Sequence, residues 1–66
     1  MNVTVNGEPR DVPDGIDLRA LVLRFDFRPE AVAAAVNGEV VARARHAERV
    51  LSEGDRIEVI RAVGGG

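Results

Sequence analysis

Hydrophobic and polar residues alternate along the first segment of the chain. Val3 and Val5 fall on one face of an extended segment with polar residues between them, the pattern of a half-buried strand. Asn6-Gly7 follows, and this dipeptide favours a type I′ turn because both of its residues take positive φ. The pattern predicts a hairpin whose second strand runs from about Glu8 to Val12. Pro9 cannot donate to a ladder, so we expect this second strand at a sheet edge.

The spacing of the apolar residues then changes from every second residue to the three- and four-residue spacing of a helix. Asp17 is a favourable N-cap for a helix from about Leu18 to Asp26. Pro29 disfavours helical geometry at Arg28, so the helix is not expected to extend further. Apolar residues three and four positions apart form one stripe of this helix: Leu18, Leu21, Val22 and Phe25. We interpret the stripe as core rather than as a partner-binding surface, because the apolar face of the strands must be buried against another element.

A second alternating segment predicts a second hairpin. Three residues would lie on one face, Val32, Ala34 and Val36, and three on the other, Ala31, Ala33 and Ala35. Alanine runs can also be helical. Asn37-Gly38 followed by Val40-Val41 favours the hairpin.

The remaining residues predict one more strand. Arg43 to Glu48 is polar and suggests a short helical turn or a loop, after which Val50-Leu51 returns to the core. Glu53-Gly54-Asp55 is a turn signal. A strand from Arg56 to about Ala62 follows, and we expect it at the centre of the sheet, beside the first strand.

This order of elements predicts an α+β fold. It would be a mixed sheet of about four to five strands with one main helix packed on one face, followed by a flexible C-terminal tail. Ile57 and Val59 would face the helix, whereas Ile60 and Ala62 would face away from it. Residues 1–63 would form the domain and residues 64–66 the glycine tail.

Composition narrows the function classes. The 66 residues suit one small domain, and the absence of cysteine excludes disulfides and cysteine metal sites. A net charge of -2 without Trp or Tyr disfavours nucleic-acid binding. No apolar run could span a bilayer and no signal peptide pattern is present, so we expect a cytoplasmic protein. We also expect it to be a monomer when free. His46 has no companion ligands, and we expect it to be solvated.

Four stretches of the sequence match one superfamily. They are Val3-Thr4-Val5-Asn6-Gly7, Ala35-Val36-Asn37-Gly38-Glu39-Val40-Val41, Glu53-Gly54-Asp55-Arg56-Ile57-Glu58-Val59 and Val63-Gly64-Gly65-Gly66. Together they resemble the β-grasp (ubiquitin-like) superfamily, and within it the ThiS family of thiamine-pathway sulfur carriers. Members of that family often carry Pro-Arg after the second hairpin and an aromatic residue soon afterwards. This chain has Ala42-Arg43 and His46 at those places.

The resemblance implies a function for the last glycine. A terminal carboxylate, with an ordinary pKa of about 3.3–3.7, is ionised at neutral pH and is a poor electrophile. A ThiF-type adenylating enzyme would activate Gly66 with ATP and Mg, and a sulfur donor such as a persulfide enzyme would convert it to a thiocarboxylate. A ThiG-type thiazole synthase would then receive the sulfur. Gly64 and Gly65 would thread a narrow cleft of the partner. The chain itself would have no catalytic residue, metal or bound cofactor.

An apolar surface near the tail is a candidate for partner docking. It would consist of five residues: Ile60, Ala62, Val63, Ala33 and Ala35. The alternative is ordinary surface apolar residues, which are common. Arg61 could guide the tail into an acidic cleft, or it could be a solvated charge at the end of a strand.

Other functions remain open at this point. The glycine run alone could be a frayed end. A related carrier, such as the small subunit of molybdopterin synthase or a carrier for cysteine synthesis, would use the same chemistry. A ubiquitin-like binding module that carries no sulfur would have no need of a free glycine terminus.

Overall fold

The computed structural model of the protein describes residues 1–61, which contain five strands, one α-helix and two short 3-10 helices. The strands are β1 (Asn2–Val5), β2 (Glu8–Asp11), β3 (Val32–Val36), β4 (Glu39–Val41) and β5 (Arg56–Arg61). The helix α1 covers Leu18–Arg24, and the 3-10 helices cover Pro29–Ala31 and Arg43–Glu48. The predicted extension of the last strand to Ala62, and the predicted tail, lie outside the described residues.

The strands form one mixed sheet in the order β2-β1-β5-β3-β4. β5 runs parallel to β1 and antiparallel to β3, so the last strand lies at the centre beside the first. β1 and β2 form one antiparallel hairpin, and β3 and β4 form the other. The predicted α+β architecture, a mixed sheet with one main helix, is confirmed.

The helix begins where the sequence predicts and ends two residues earlier. A side-chain oxygen of Asp17 accepts a hydrogen bond from the backbone N–H of Ala20 at 2.8 Å, as an N-cap does. Asp26 takes a φ of 64°, which ends the helical path. Its N–H donates to the oxygen of Leu23, and the N–H of Phe27 donates to that of Val22. These two bonds form a Schellman motif, which places Asp26 beyond the helix rather than in its last turn.

One face of the sheet and one stripe of α1 form the core. The buried apolar residues are Val3, Val5, Val12, Leu18, Leu21, Val22, Val32, Ala34, Val36, Leu51, Ile57 and Val59. Ile57 and Val59, which were predicted to face the helix, are among them. The three residues predicted to share one face of β3 are among them too: Val32, Ala34 and Val36. Phe25 and Phe27 pack against the edge of this core. The other face of the sheet carries no helix in residues 1–61.

Two expectations about individual side chains are wrong. His46 is buried, with 1% of its surface exposed, because the second 3-10 helix turns its ring inward. Its Nε2 donates to the backbone oxygen of Val41 at 3.0 Å, whereas Nδ1 has no partner among the described residues. Val50 is 54% exposed, although Leu51 is buried as predicted. Val50 forms an extended bridge with Asp17, so neighbouring residues there face opposite sides.

Candidate partner-binding site

The final strand leads directly into the residues predicted to do the chemistry. β3 pairs with β5 as far as Val32 opposite Arg61. β1 pairs only with the start of β5, where Thr4 lies opposite Arg56 and Val5 opposite Ile57. β5 is therefore held on both sides at its start and mainly by β3 at its end. Gly64, Gly65 and Gly66 lie outside the described residues, and so do Ala62 and Val63.

The side chain of Asn6 continues the pairing of β5 where β1 has ended. Its Oδ1 accepts a hydrogen bond from the backbone N–H of Val59 at 2.8 Å. Asn6 has a φ of 51° in the turn, a conformation that asparagine tolerates better than most residues. Our interpretation of Asn6-Gly7 as a turn alone was therefore incomplete. This asparagine also holds the last strand.

Asn37 in the other Asn-Gly turn holds the start of the same strand. Its Oδ1 accepts from the backbone N–H of Arg56 at 2.9 Å, and its Nδ2 donates to Oδ1 of Asp55 at 3.0 Å. The second carboxylate oxygen of Asp55 accepts from the backbone N–H of Ser52 at 2.8 Å. The carboxylate of Asp55 thus joins the turn before β5 to the second hairpin. The interpretation of Asn37-Gly38 as a turn alone was incomplete as well.

The uncovered face of the sheet brings together three of the residues predicted for docking. Ala33 lies directly opposite Ile60, and Ala35 lies opposite Glu58 on the same strand pair. Ile60 is 66% exposed, Ala33 is exposed and Ala35 is half-buried. Directly opposed residues share a face of the sheet, so these side chains form one apolar surface beside the end of β5.

Val40 belongs to the same surface, although it is not among the docking residues predicted from the sequence. It lies opposite Ala35 in the second hairpin and is 81% exposed. The signal was present in the sequence, because a two-residue Asn-Gly turn fixes the register that sets Val40 against Ala35. We call Ala33, Ala35, Val40 and Ile60 the open-face patch.

Arg61 follows Ile60 at the end of β5 and stacks on an aromatic ring. Its guanidinium carbon lies 5.6 Å from the centre of the Phe27 ring, within the range of a cation–π contact. The side chain is exposed, as expected for a charge at the end of a strand, but the stacking holds it toward the α1 side. A cavity of about 280 Å³ lies next to it, lined by Asp26, Arg28, Ala31, Val32 and Arg61.

One of the charged residues that line this cavity, Arg28, forms an ion pair. The Nε of Arg28 donates to Oε1 of Glu30 at 3.2 Å. A hydrogen bond from its own backbone amide, and then the pairing with Arg28, lower the pKa of the Glu30 carboxyl. Residues 1–61 contain no group of three or more His, Cys, Asp or Glu side chains placed to hold a metal ion. No helix in this part of the chain is long and apolar enough to cross a membrane.

A comparison with models of protein families shows which family the chain belongs to. The model of the ThiS family matches residues 3–66, which is nearly the whole chain and includes the glycines at its end. The chain belongs to the ThiS family. The resemblance seen in the Val-Asn-Gly hairpins and the glycine run is thereby confirmed.

Two solved structures from Geobacter metallireducens share the fold of this chain. The crystal structure of the thiamine biosynthesis protein ThiS from Geobacter metallireducens has a TM-score of 0.85 and 32% sequence identity, and the match covers 100% of both chains. The solution structure of a thiamine biosynthesis protein from the same organism gives a TM-score of 0.82 at 32% identity, covering 100% of this chain and 88% of that one. The β-grasp fold of this ThiS-family chain is therefore shown.

The chain is also similar to proteins that are not named ThiS, and some of these are much longer than this chain. A thiazole synthase of Magnetococcus marinus is 41% identical over 66 residues, which are 100% of this chain and 20% of that protein. The chain spans only about a fifth of the length of the thiazole synthases it matches. An uncharacterized protein ycf40 of Pyropia yezoensis is 33% identical over 66 residues, covering 100% of this chain and 93% of the relative.

Proposed function

We propose that this chain is a sulfur carrier for thiamine biosynthesis and that the carboxylate of Gly66 holds the sulfur. The observation that carries the proposal is the family match, which extends to Gly66 itself. The similarity to the ThiS structure of Geobacter metallireducens over 100% of both chains supports the same function. In this proposal the chain is a substrate that is passed between enzymes, and it contributes no catalytic residue.

The proposed chemistry takes place in three steps. A ThiF-type adenylating enzyme uses ATP and Mg to join AMP to the Gly66 carboxylate, with release of pyrophosphate. The terminal sulfur of an enzyme-bound persulfide then attacks the carbonyl carbon and displaces AMP. A second thiol attacks the donor cysteine's sulfur in the resulting acyl disulfide, forms a disulfide with that cysteine, and releases Gly66 as the thiocarboxylate. Activation is needed because the ionised carboxylate is a poor electrophile.

The glycines before Gly66 allow the end of the chain to pass through a narrow cleft of the partner. Gly64 and Gly65 carry no Cβ, so the backbone at these positions can approach the walls of a narrow cleft closely. β5 provides a fixed base for this segment, because its end pairs with β3 and its Val59 N–H is bound by Asn6. Docking of the domain would then deliver the last glycine to the reacting centre.

A ThiG-type thiazole synthase is the acceptor that this proposal favours. The thiazole synthases of Magnetococcus marinus and Paramagnetospirillum magneticum each contain a segment that is similar to the whole of this chain. Joining a carrier and its acceptor in one polypeptide would raise their effective concentration for each other. The open-face patch, together with Ala62 and Val63, is the docking surface we propose for such enzymes.

Removing the last residue tests the proposal directly. The chain would be incubated with ATP, the adenylating enzyme, a sulfur source and thiazole synthase, and thiazole formation would be measured. Deletion of Gly66 should abolish product, whereas Leu23→Asp, a change on the exposed side of α1, should leave it unchanged. Full activity of the deletion variant would overturn the proposal. A binding module that carries no sulfur would keep its affinity for the partner after this deletion.

A further inference from the structure

The two edges of the sheet differ in their capacity to accept another strand. β2 forms one edge and β4 the other. Each edge strand belongs to a hairpin with a two-residue turn, so the pair that closes the turn is hydrogen-bonded and the next pair is not. Residues of the non-bonded pairs direct their backbone N–H and C=O away from the partner strand. Another strand can pair with the edge only where these outward N–H and C=O groups are available to it.

The β2 edge is blocked by Pro9. Val5 and Glu8 close the first hairpin, so Thr4 and Pro9 form the next, non-bonded pair. Pro9 therefore occupies the position whose backbone N–H would point outward, and proline has no N–H. Proline at such a position is a known protection of edge strands against pairing.

The β4 edge lacks this protection. Val36 and Glu39 close the second hairpin, so Ala35 and Val40 form the non-bonded pair. The N–H and C=O of Val40 consequently point outward from the sheet. No backbone hydrogen bond of Val40 to a turn or loop is found in residues 1–61. Val40 thus presents one free donor, one free acceptor and a side chain that is 81% exposed.

A groove beside this edge contains charges that do not find partners within one copy. It has a volume of about 360 Å³, and its charged lining residues are Glu39, Arg45, Glu48 and Arg49. Arg45 pairs with Glu48 at 3.5 Å. Glu39 and Arg49 make no ion pair within residues 1–61, although one terminal nitrogen of Arg49 donates to the oxygen of Val50. In each groove, the carboxylate of Glu39 and the guanidinium of Arg49 are therefore available to pair with a bound molecule.

We propose that the occupant is a second copy of this chain, paired antiparallel through β4 across a two-fold axis at Val40. The N–H of each Val40 would donate to the C=O of the other, which makes the two symmetric bonds of a hydrogen-bonded pair. Glu39 would then lie opposite Val41 of the second copy, at the side of that copy's groove. Its carboxylate would meet Arg49 of the second copy, and the symmetric pair would form as well. The unpaired charges of one groove therefore complement those of the other.

The resulting dimer would have one continuous ten-stranded sheet, since each copy contributes five strands. The two Val40 side chains would be neighbours on the uncovered face and would join the two open-face patches. The contact is small, with a three-residue edge strand on each side. We therefore expect a weak association, with a dissociation constant of roughly millimolar order.

Sedimentation velocity and amide NMR spectra over a range of chain concentrations test this inference. The unaltered chain should form dimers at millimolar concentration, with the amide of Val40 shifting as a hydrogen bond forms. Val40→Pro copies the protection that Pro9 gives β2, and it should weaken association by about tenfold or more because both symmetric bonds are lost. Val40→Lys serves as a second variant that keeps the N–H but places like charges together.

Charge exchange provides an independent measurement. Glu39→Arg should weaken the dimer by setting two guanidiniums against each other, and Glu39→Arg combined with Arg49→Glu should restore it. Glu8→Arg at the β2 edge is the matched control and should have no effect. A chain that stays monomeric at millimolar concentration would overturn the proposal. A dimer that Val40→Pro, Val40→Lys and Glu39→Arg all leave at full strength would overturn it too.

Discussion

Oδ1 of Asn6 accepts a hydrogen bond at 2.8 Å from the backbone N–H of Val59, which lies 53 positions later in the chain. β1 pairs with β5 only as far as Val5 opposite Ile57. The asparagine side chain thus supplies the next acceptor for the strand that leads to the glycines. A turn near the start of the chain therefore helps to hold β5 in place, the strand that precedes the C-terminal glycines.

Removing this acceptor should destabilise the domain. Asn6→Gly keeps a residue that tolerates the φ of 51° but leaves the part-buried N–H of Val59 without its partner. We expect the free energy of unfolding to fall by about 1–3 kcal/mol, the cost of an unsatisfied buried donor. Urea unfolding followed by circular dichroism measures the change. Asn6→Asp keeps the acceptor and should lose less, so equal losses in both variants would contradict this account.

The same substitution should be much more harmful in the second Asn-Gly turn. Asn37→Asp replaces the Nδ2 donor by an oxygen, which would face the carboxylate of Asp55 at the present 3.0 Å. Two like charges at that distance repel, and Asp55 is buried. We expect Asn37→Asp to lower the free energy of unfolding by at least about 1 kcal/mol more than Asn6→Asp does. The reverse order in urea unfolding would refute the assigned hydrogen bonds.

The buried His46 should behave as a core residue. His46→Ala removes a ring that is 1% exposed, and a cavity in this position should cost about 2–4 kcal/mol in the free energy of unfolding. His46→Phe should lie much closer to the unaltered chain, because it fills the space and removes the unpartnered Nδ1. Arg43→Ala, on the exposed side of the same 3-10 helix, is the control. Urea unfolding in which His46→Ala is as harmless as Arg43→Ala would contradict the buried placement.

The docking role of the open-face patch can be tested against the other side of the molecule. Ile60 is 66% exposed on the uncovered face of the sheet, and Leu23 is 52% exposed on α1. Ile60→Asp should raise the KM of the adenylating enzyme for this chain by about tenfold or more, as loss of a central apolar contact does. Leu23→Asp should leave it unchanged. Equal KM values for the two variants would refute the docking surface, provided that both unfold at the same urea concentration.

The fold could be predicted from the sequence because local patterns determine most of it. The two-residue periods around Val3 and Val32 gave the buried faces, and both Asn-Gly dipeptides gave the turns. These signals depend on neighbouring residues only. The same local reasoning placed Ala33 and Ile60, two of the residues proposed for docking, on one face, where the structure sets them opposite each other.

The features that sequence reasoning missed depend on contacts between distant residues. The bond from Val59 to Asn6 cannot be seen in a local pattern, because asparagine in a turn needs no distant partner to explain it. His46 looked solvated because its neighbours in sequence are charged, whereas a 3-10 helix directs its ring toward Val41. Its place in the family pattern, where an aromatic residue is common, was the available signal.

The central claim is that the carboxylate of Gly66 carries sulfur, and the intact mass of the chain tests it most directly. The chain would be incubated with ATP, the adenylating enzyme and a persulfide donor, and then analysed by mass spectrometry with fragmentation of the C-terminal peptide. We predict a mass increase equal to the replacement of one oxygen by sulfur, located on Gly66 and absent when ATP is omitted. An unmodified Gly66, under conditions in which a known carrier of the family is converted, would contradict the account.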